Sequence, residues 1–249
     1  LDSTALKRVT IEGLHALDLG RHAVYVSGGG NDQVEVLILG VHSTMPSDEN
    51  SKILISSTPH FVSIHDCVIG YAWRCGIRID GASGGIISGN DIFNNDQKKA
   101  AGDLYDSGIR LESCEHIVVV NNRVFDDQAS PTQRYGVKET GTSDGNIIKN
   151  NWFSGNTVKH ILKLGGNTVV KGNIGYVTEN SGTATIANGT SSVQVAHGLA
   201  GAPTIVVLGA THAEVADAIW SANSTHITIT VPSAVTADRD VSSYAEYAP

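Results

Sequence analysis

The chain has 249 residues, of which 17% are charged and 27 are Gly, and its formal net charge is −8. That balance argues against nucleic acid, which requires a basic excess, and against an anionic membrane surface; no apolar run approaches the ~18 residues of a membrane span. Cys67, Cys75 and Cys114 cannot all pair and lack metal-ligand spacing, so neither a disulfide framework nor a metal or other cofactor is expected.

The chain opens on Leu1-Asp2-Ser3, without Met, so a preceding segment is expected. Val, Ile, Thr and Ser recur throughout, favouring strands and tight turns over helices. The first strand phrase is Ala23-Val24-Tyr25-Val26. Ser27-Gly28-Gly29-Gly30 follows it; lacking the Lys-Ser/Thr of a phosphate loop, this run reads as a corner. After Ile53-Leu54-Ile55 the phrase sharpens into Gly76-Ile77-Arg78-Ile79-Asp80, Gly108-Ile109-Arg110-Leu111-Glu112 and Gly136-Val137-Lys138-Glu139, with Leu162-Lys163-Leu164 as a weaker copy.

A second phrase follows each of these. In it an Asn precedes an aromatic by three residues: Asn90 and Phe93, Asn122 and Phe125, Asn150 and Phe153, Asn173 and Tyr176, with Asp66 and Ile69 as a fainter precursor. A repeat of roughly two to three dozen residues with several short strands suits one turn of a solenoid, whose apolar face is buried only by stacking on its neighbours. The Asn column reads as an inward amide ladder and the aromatic column as a stack inside the coil. Loops 94–107 and 126–135 absorb the variation in length. The fold class expected is all-β, a right-handed parallel β-helix over residues 1–176. On these phrases the chain resembles the pectate-lyase-like and phage-tailspike-like β-helix superfamily over roughly residues 7–176.

Residues 177–184 read as a polar linker. Beyond it, strand-like runs at 185–186, 192–195, 204–208, 218–220, 226–231 and 241–247 alternate with Gly, Pro and Asn, predicting a small antiparallel β-sandwich over 185–249. His197-Gly198-Leu199, Pro203-Thr204-Ile205-Val206 and Trp220 resemble the domains that end some β-helix spikes and fibres. That resemblance implies a homotrimer, an extracellular, cell-surface or virion setting, and a polysaccharide or cell-surface glycan as partner. A monomeric carbohydrate-binding or end-capping sandwich is the alternative.

Alternate strand residues leave the coil, so Arg78, Arg110 and Lys138 form an outward basic column, extended by Lys163. Asp80 and Glu112 occupy equivalent places in adjacent turns. Rungs ~4.8 Å apart hold two carboxyls near the ~5 Å separation of a retaining glycosidase, and crowding raises the proton affinity of one of them. Asp80, Glu112 and Asp106 are the catalytic candidates. Arg78, Arg110, Lys138, Asp103, Tyr105 and Arg134 are the substrate-binding ones, with Asp126 and Asp127 in the neighbouring loop. A uronate lyase or epimerase would instead use the basic column with His65, His116 or Tyr105. Against both stands rung-to-rung ion pairing that only keeps a solenoid soluble. Trp73, Trp152 and Trp220 are assigned to core packing. The functional expectation is a polysaccharide depolymerase, hydrolase or lyase, with a non-catalytic glycan-binding spike as the rival.

Overall fold

The computed structural model describes residues 7–16, 22–27, 34–44, 50–56, 59–98 and 106–249. Strands β1 (Lys7–Glu12) and β2 (Val24–Ser27) lead into a triplet, β3 (Val34–Leu39), β4 (His42–Ser43) and β5 (Ile53–Ser56). The triplet recurs as β6 (Phe61–His65), β7 (Val68–Gly70) and β8 (Ile77–Asp80), then as β9 (Gly85–Ser88), β10 (Asp91–Phe93) and β11 (Ser107–Glu112). It recurs again as β12 (Ile117–Val120), β13 (Arg123–Phe125) and β14 (Tyr135–Thr140), and as β15 (Ile147–Lys149), β16 (Trp152–Ser154) and β17 (Lys159–Leu162). Every third strand stacks in parallel, giving the sheets β1-β3-β6-β9-β12-β15, β4-β7-β10-β13-β16 and β2-β5-β8-β11-β14-β17. This is the right-handed parallel β-helix expected from the repeat.

Register explains why the repeat folds this way. Ile53, Ile77, Ile109, Val137 and Ile161 form one inward file. Ile38, Ile64, Ile87, Val119 and Ile148 form a second, and Ile69, Ile92, Val124 and Phe153 a third. All of these side chains are buried. β-branched residues stack well on a pleated surface, and the files join into one continuous core.

The amide ladder exists, one residue away from its expected place at two rungs. Cys67 N donates to Asn90 Oδ1 at 2.9 Å, Asn90 Nδ2 to Asn122 Oδ1 at 2.8 Å, and Asn122 Nδ2 to Asn151 Oδ1 at 3.0 Å. Asn151 Nδ2 continues to Asn173 Oδ1 at 3.0 Å. Asn150 is exposed and left-handed (φ 54°), and Asp66 is likewise left-handed (φ 53°). The expected aromatic stack inside the coil is therefore corrected. Phe93 and Phe125 are register partners on the outer face, half-buried and stacked at 5.3 Å, whereas Phe153 is a core residue in the file of Ile92. A one-residue change in a strand sends the side chain to the opposite face. Trp152, the register partner of Arg123, meets the Phe125 ring edge-on, with Arg123 over both rings, and Trp220 is exposed in the C-terminal unit; neither is a core residue. Trp73 is half-buried.

A second ladder was not legible in the repeat. Asn95 Nδ2 donates to Gln133 Oε1 at 2.9 Å, Gln133 Nε2 donates to Asn156 Oδ1 at 2.7 Å, and Asn156 Nδ2 meets His160 Nδ1 at 2.9 Å. With Oδ1 of Asn156 already accepting, its Nδ2 must donate, so His160 accepts as a neutral ring protonated on Nε2. Burial lowers the His160 pKa, so the folded value lies below the unfolded one of ~6.5. Its stabilising contribution is present above ~6.5 and is lost as pH falls through the folded value. The thermal midpoint is expected to drop between pH 7 and 5 more steeply in the native chain than in His160→Gln, as melts followed by circular dichroism would check.

The Gly that opens each Gly-apolar-basic phrase stands where no side chain fits. A Cβ on Gly108 would lie 2.5 Å from Val124 Cγ1 and 3.0 Å from Gly136 O, and one on Gly136 would lie 2.6 Å from His160 O. Gly108→Ala is expected to lower stability by ~1–3 kcal/mol through overpacking, measurable by urea unfolding.

The chain divides into two compact units around β18 (Val169–Lys171), the second running essentially from Tyr176 to Pro249. The stretch expected to be a linker contains most of β19 (Glu179–Ile186), a regular strand. With β21 (Ile205–Ala210) and β24 (Arg239–Glu246) it forms one antiparallel sheet, in the order β19-β24-β21. β20 (Ser192–Ala196), β23 (His226–Thr230) and β22 (Ile219–Ala222) form the other. Ile186, Val206, Ile227, Ile229 and Val241 lie in the core of this sandwich. His197 serves structure: its Nδ1 accepts from Leu199 N at 3.0 Å, and its Nε2 lies 3.1 Å from Asn223 O.

Candidate active site

Outward positions on β8, β11 and β14 bring most of the expected site residues together. Arg78, Arg110 and Lys138 are register partners, as are Asp80, Glu112 and Thr140. The file passes from Lys138 to Leu162 rather than to Lys163, because the weak copy at 162–164 lies one residue out of phase. The basic residues leave the coil but are not open to solvent: Arg110 is 2% exposed and Lys138 9%.

Each cation is engaged by a carboxylate of this chain. Arg78 Nη2 lies 2.8 Å from Glu112 Oε2 and 3.3 Å from Asp80 Oδ2, and Arg110 Nε lies 3.2 Å from the same Glu112 oxygen. Asp106, 1% exposed and just before β11, receives Lys138 Nζ at 2.6 Å and Arg134 Nη1 at 3.0 Å. Lys138 Nζ also stands 4.6 Å from the centre of the Tyr135 ring, a cation–π contact.

The two carboxyls differ in proton affinity. Burial and then the Glu112 charge raise the Asp80 pKa, with Arg78 and Arg110 opposing them. At Glu112 burial pushes upward, but hydrogen bonds and charges of Arg110 and Arg78 outweigh it and lower the pKa. Asp80 thus retains a proton more readily while Glu112 stays ionised, the asymmetry that separates an acid from a base in one site. Their side chains are 38% and 26% exposed, so a ligand can reach both.

Other candidates lie elsewhere. Asp126 is buried and accepts from the Thr132 and Gln133 backbone, holding its own loop; Asp127 accepts from Asn94 Nδ2. His65 is on the β1-β3-β6-β9-β12-β15 sheet, away from the basic column. His116 lines an open corner hollow of about 340 Å3 with Glu115, Asp144 and Asn167. Asp103 and Tyr105 fall outside the described residues. Among the described residues no three of His, Cys, Asp and Glu are grouped to hold a metal, and no helix is long and apolar enough to cross a membrane. Sequence reasoning missed Glu139 as an inward residue: it pairs in register with Leu111, and four donors surround its carboxylate.

A family model described as a right-handed β-helix region matches residues 2–190. No curated protein matches the chain. The mannuronan C-5 epimerase AlgE6 A-module of Azotobacter vinelandii is similar with a TM-score of 0.44 and 16% identity, over 68% of this chain and 56% of that one. The Dettilon tailspike protein gp208 is similar at 0.35 and 12%, over 97% and 65%. The Gp54 tailspike of Acinetobacter baumannii bacteriophage AP22, solved with A. baumannii capsular saccharide, is similar at 0.22 and 10%, over 90% and 64%. The chain spans less than two thirds of the length of each of these.

Proposed function

The chain belongs to the right-handed β-helix family, and we propose that it is a polysaccharide depolymerase of the glycoside hydrolase type, cutting at Asp80 and Glu112. The observation that carries this reading is the split of proton affinities between two carboxyls on adjacent rungs, in partly solvent-open positions. Asp80 protonates the leaving glycosidic oxygen as its bond to the anomeric carbon breaks, and Glu112 attacks or stabilises that carbon from the neighbouring rung. Water, giving a proton back to Asp80, then bonds to the carbon and frees Glu112. Arg78, bridging both carboxylates, and Arg110 keep Glu112 ionised and oriented. Asp106, Arg134 and Lys138 form a supporting network that holds Lys138 against the Tyr135 ring.

A hydrolase fits better than a uronate lyase. A lyase requires a cation available to neutralise the sugar carboxylate, whereas Arg78, Arg110, Lys138 and Arg134 are all turned to this chain's own acids. Reducing-end release from a panel of neutral and acidic glycans tests the reading, against absorbance of an unsaturated product for a lyase. Activity is expected to fall as pH drops through the lowered Glu112 pKa and as it rises through the raised Asp80 pKa, giving an acidic optimum. Glycan binding without turnover at any pH would favour the attachment-spike reading, to which the ion pairing of both carboxylates lends weight.

We assign the second unit to trimer formation, as a setting for the coil on a cell surface or virion. Ile205, Val207 and Tyr244 support this: they are exposed, and Val207 pairs in register with Tyr244. Sedimentation equilibrium is expected to give three chains, shifted towards monomer in Val207→Asp.

A further inference from the structure

Ser63 and His65 lie two residues apart on β6 and so share a face, and Ser88 on β9 is the register partner of His65. His65 Nε2 is 2.5 Å from Ser63 Oγ, and Nδ1 is 2.6 Å from Ser88 Oγ. A neutral imidazole has one N–H and one lone pair. Whichever tautomer forms, one serine therefore donates its proton to the ring and the other accepts from it. All three side chains are half-buried and retain access to solvent. Ser63 is flanked in its own file by Leu37 and Ile86 on the adjacent rungs, both half-buried.

We infer that these residues form a second catalytic site, a serine–histidine site for transfer of small acyl groups from esters, with Ser63 as nucleophile. A nucleophile bonded to a base, and a base oriented by a third group, is the arrangement that activates a hydroxyl. Here Ser88 takes the place usually held by a carboxylate, accepting from Nδ1–H and leaving Nε2 to receive the Ser63 proton. In the first step Ser63 Oγ bonds to the ester carbonyl carbon while its proton passes to His65. The ester C–O bond then breaks, and the alcohol leaves with that proton. Water, deprotonated by the same ring, attacks the acyl-serine carbonyl; the acid departs and Ser63 recovers its proton. Leu37 and Ile86 give the acyl chain an apolar surface. Backbone donors of the parallel ladder are spent between strands, so oxyanion stabilisation is weak and turnover slow. The site lies on a different sheet from Asp80 and Glu112 and does not depend on glycan cleavage.

The test uses the full chain with p-nitrophenyl acetate and with a serine-directed fluorophosphonate, mapped by peptide mass. One label on Ser63 is expected, absent in Ser63→Ala and His65→Gln. Hydrolysis is expected to fall in both variants by about 10²-fold, the lower end of general-base catalysis. Ser88→Ala should slow hydrolysis less and keep the label on Ser63. Circular dichroism confirms that each variant is folded. A label on Ser88 or only on other residues, or hydrolysis unchanged in folded Ser63→Ala, would overturn the assignment.

Discussion

Asp80→Asn is expected to reduce glycan cleavage by about 10²–10⁴-fold, the usual contribution of a positioned general acid, while the coil stays folded. Asp80 is the cleaner of the two carboxyls to remove. Its contact with Arg78 is the longer one, 3.3 Å against 2.8 Å for Glu112, and its side chain is the more exposed. A long, partly exposed pair of this kind contributes about 1 kcal/mol or less, so a large kinetic loss would not be a folding effect. Glu112→Gln is expected to abolish cleavage too, but with a drop in stability, because the buried Arg110 would lose the charge of the Glu112 carboxylate. Reducing-end assays beside thermal melts separate the two. Cleavage unchanged in a folded Asp80→Asn variant would remove Asp80 from the chemistry and leave the ion pairs as surface structure.

Glu139→Leu is expected to destabilise the coil by on the order of 4 kcal/mol, although Leu is the residue at the equivalent position one rung away. Glu139 is 1% exposed, and its Oε2 accepts from Leu164 N at 2.8 Å and Gly165 N at 3.0 Å. Its Oε1 accepts from Asn146 Nδ2 and Thr168 Oγ1, each at 2.7 Å. Leucine would leave these donors without their acceptor, two of them on the backbone, at about 1–3 kcal/mol for each that water cannot reach. Glu139→Gln is expected to fall between the two, since its amide NH2 would face a donor. Urea unfolding with hydrogen exchange at Leu164 and Gly165 would show whether the loss begins at that turn.

The Ile-x-Ile phrases and the Asn column were legible in the sequence because inward residues meet the same environment at every rung. Stacking selects the same residue type repeatedly, and Gly76, Gly108 and Gly136, one before each phrase, are kept by crowding against Ile92, Val124 and Phe153 respectively and against the next rung's backbone. The alignment of Asp80 with Glu112, and of Arg78 with Arg110 and Lys138, followed from the same phrases. Errors arose where two candidates stood side by side, as with Asn150 and Asn151, Asp66 and Cys67, or Leu162 and Lys163. Periodicity of two gives such neighbours opposite faces, and no local signal ranks them. The Phe93–Phe125 stack was placed inside the coil for that reason.

Residue pattern alone was sufficient for a parallel coil followed by a small sandwich, and for the list of charges on one outer face. Folding decided how those charges are used: Arg110 and Lys138 leave the coil yet are covered, Asp106 binds Lys138 and Arg134, and Glu139 turns inward to hold a corner. Pairing across turns also assembled Ser63, His65 and Ser88, and the Asn95–Gln133–Asn156 ladder. The physical reason is that strand cores are repetitive and so leave a period in the chain. Corners and outward contacts join residues across loops of unequal length, and their partners are set only when the rungs stack.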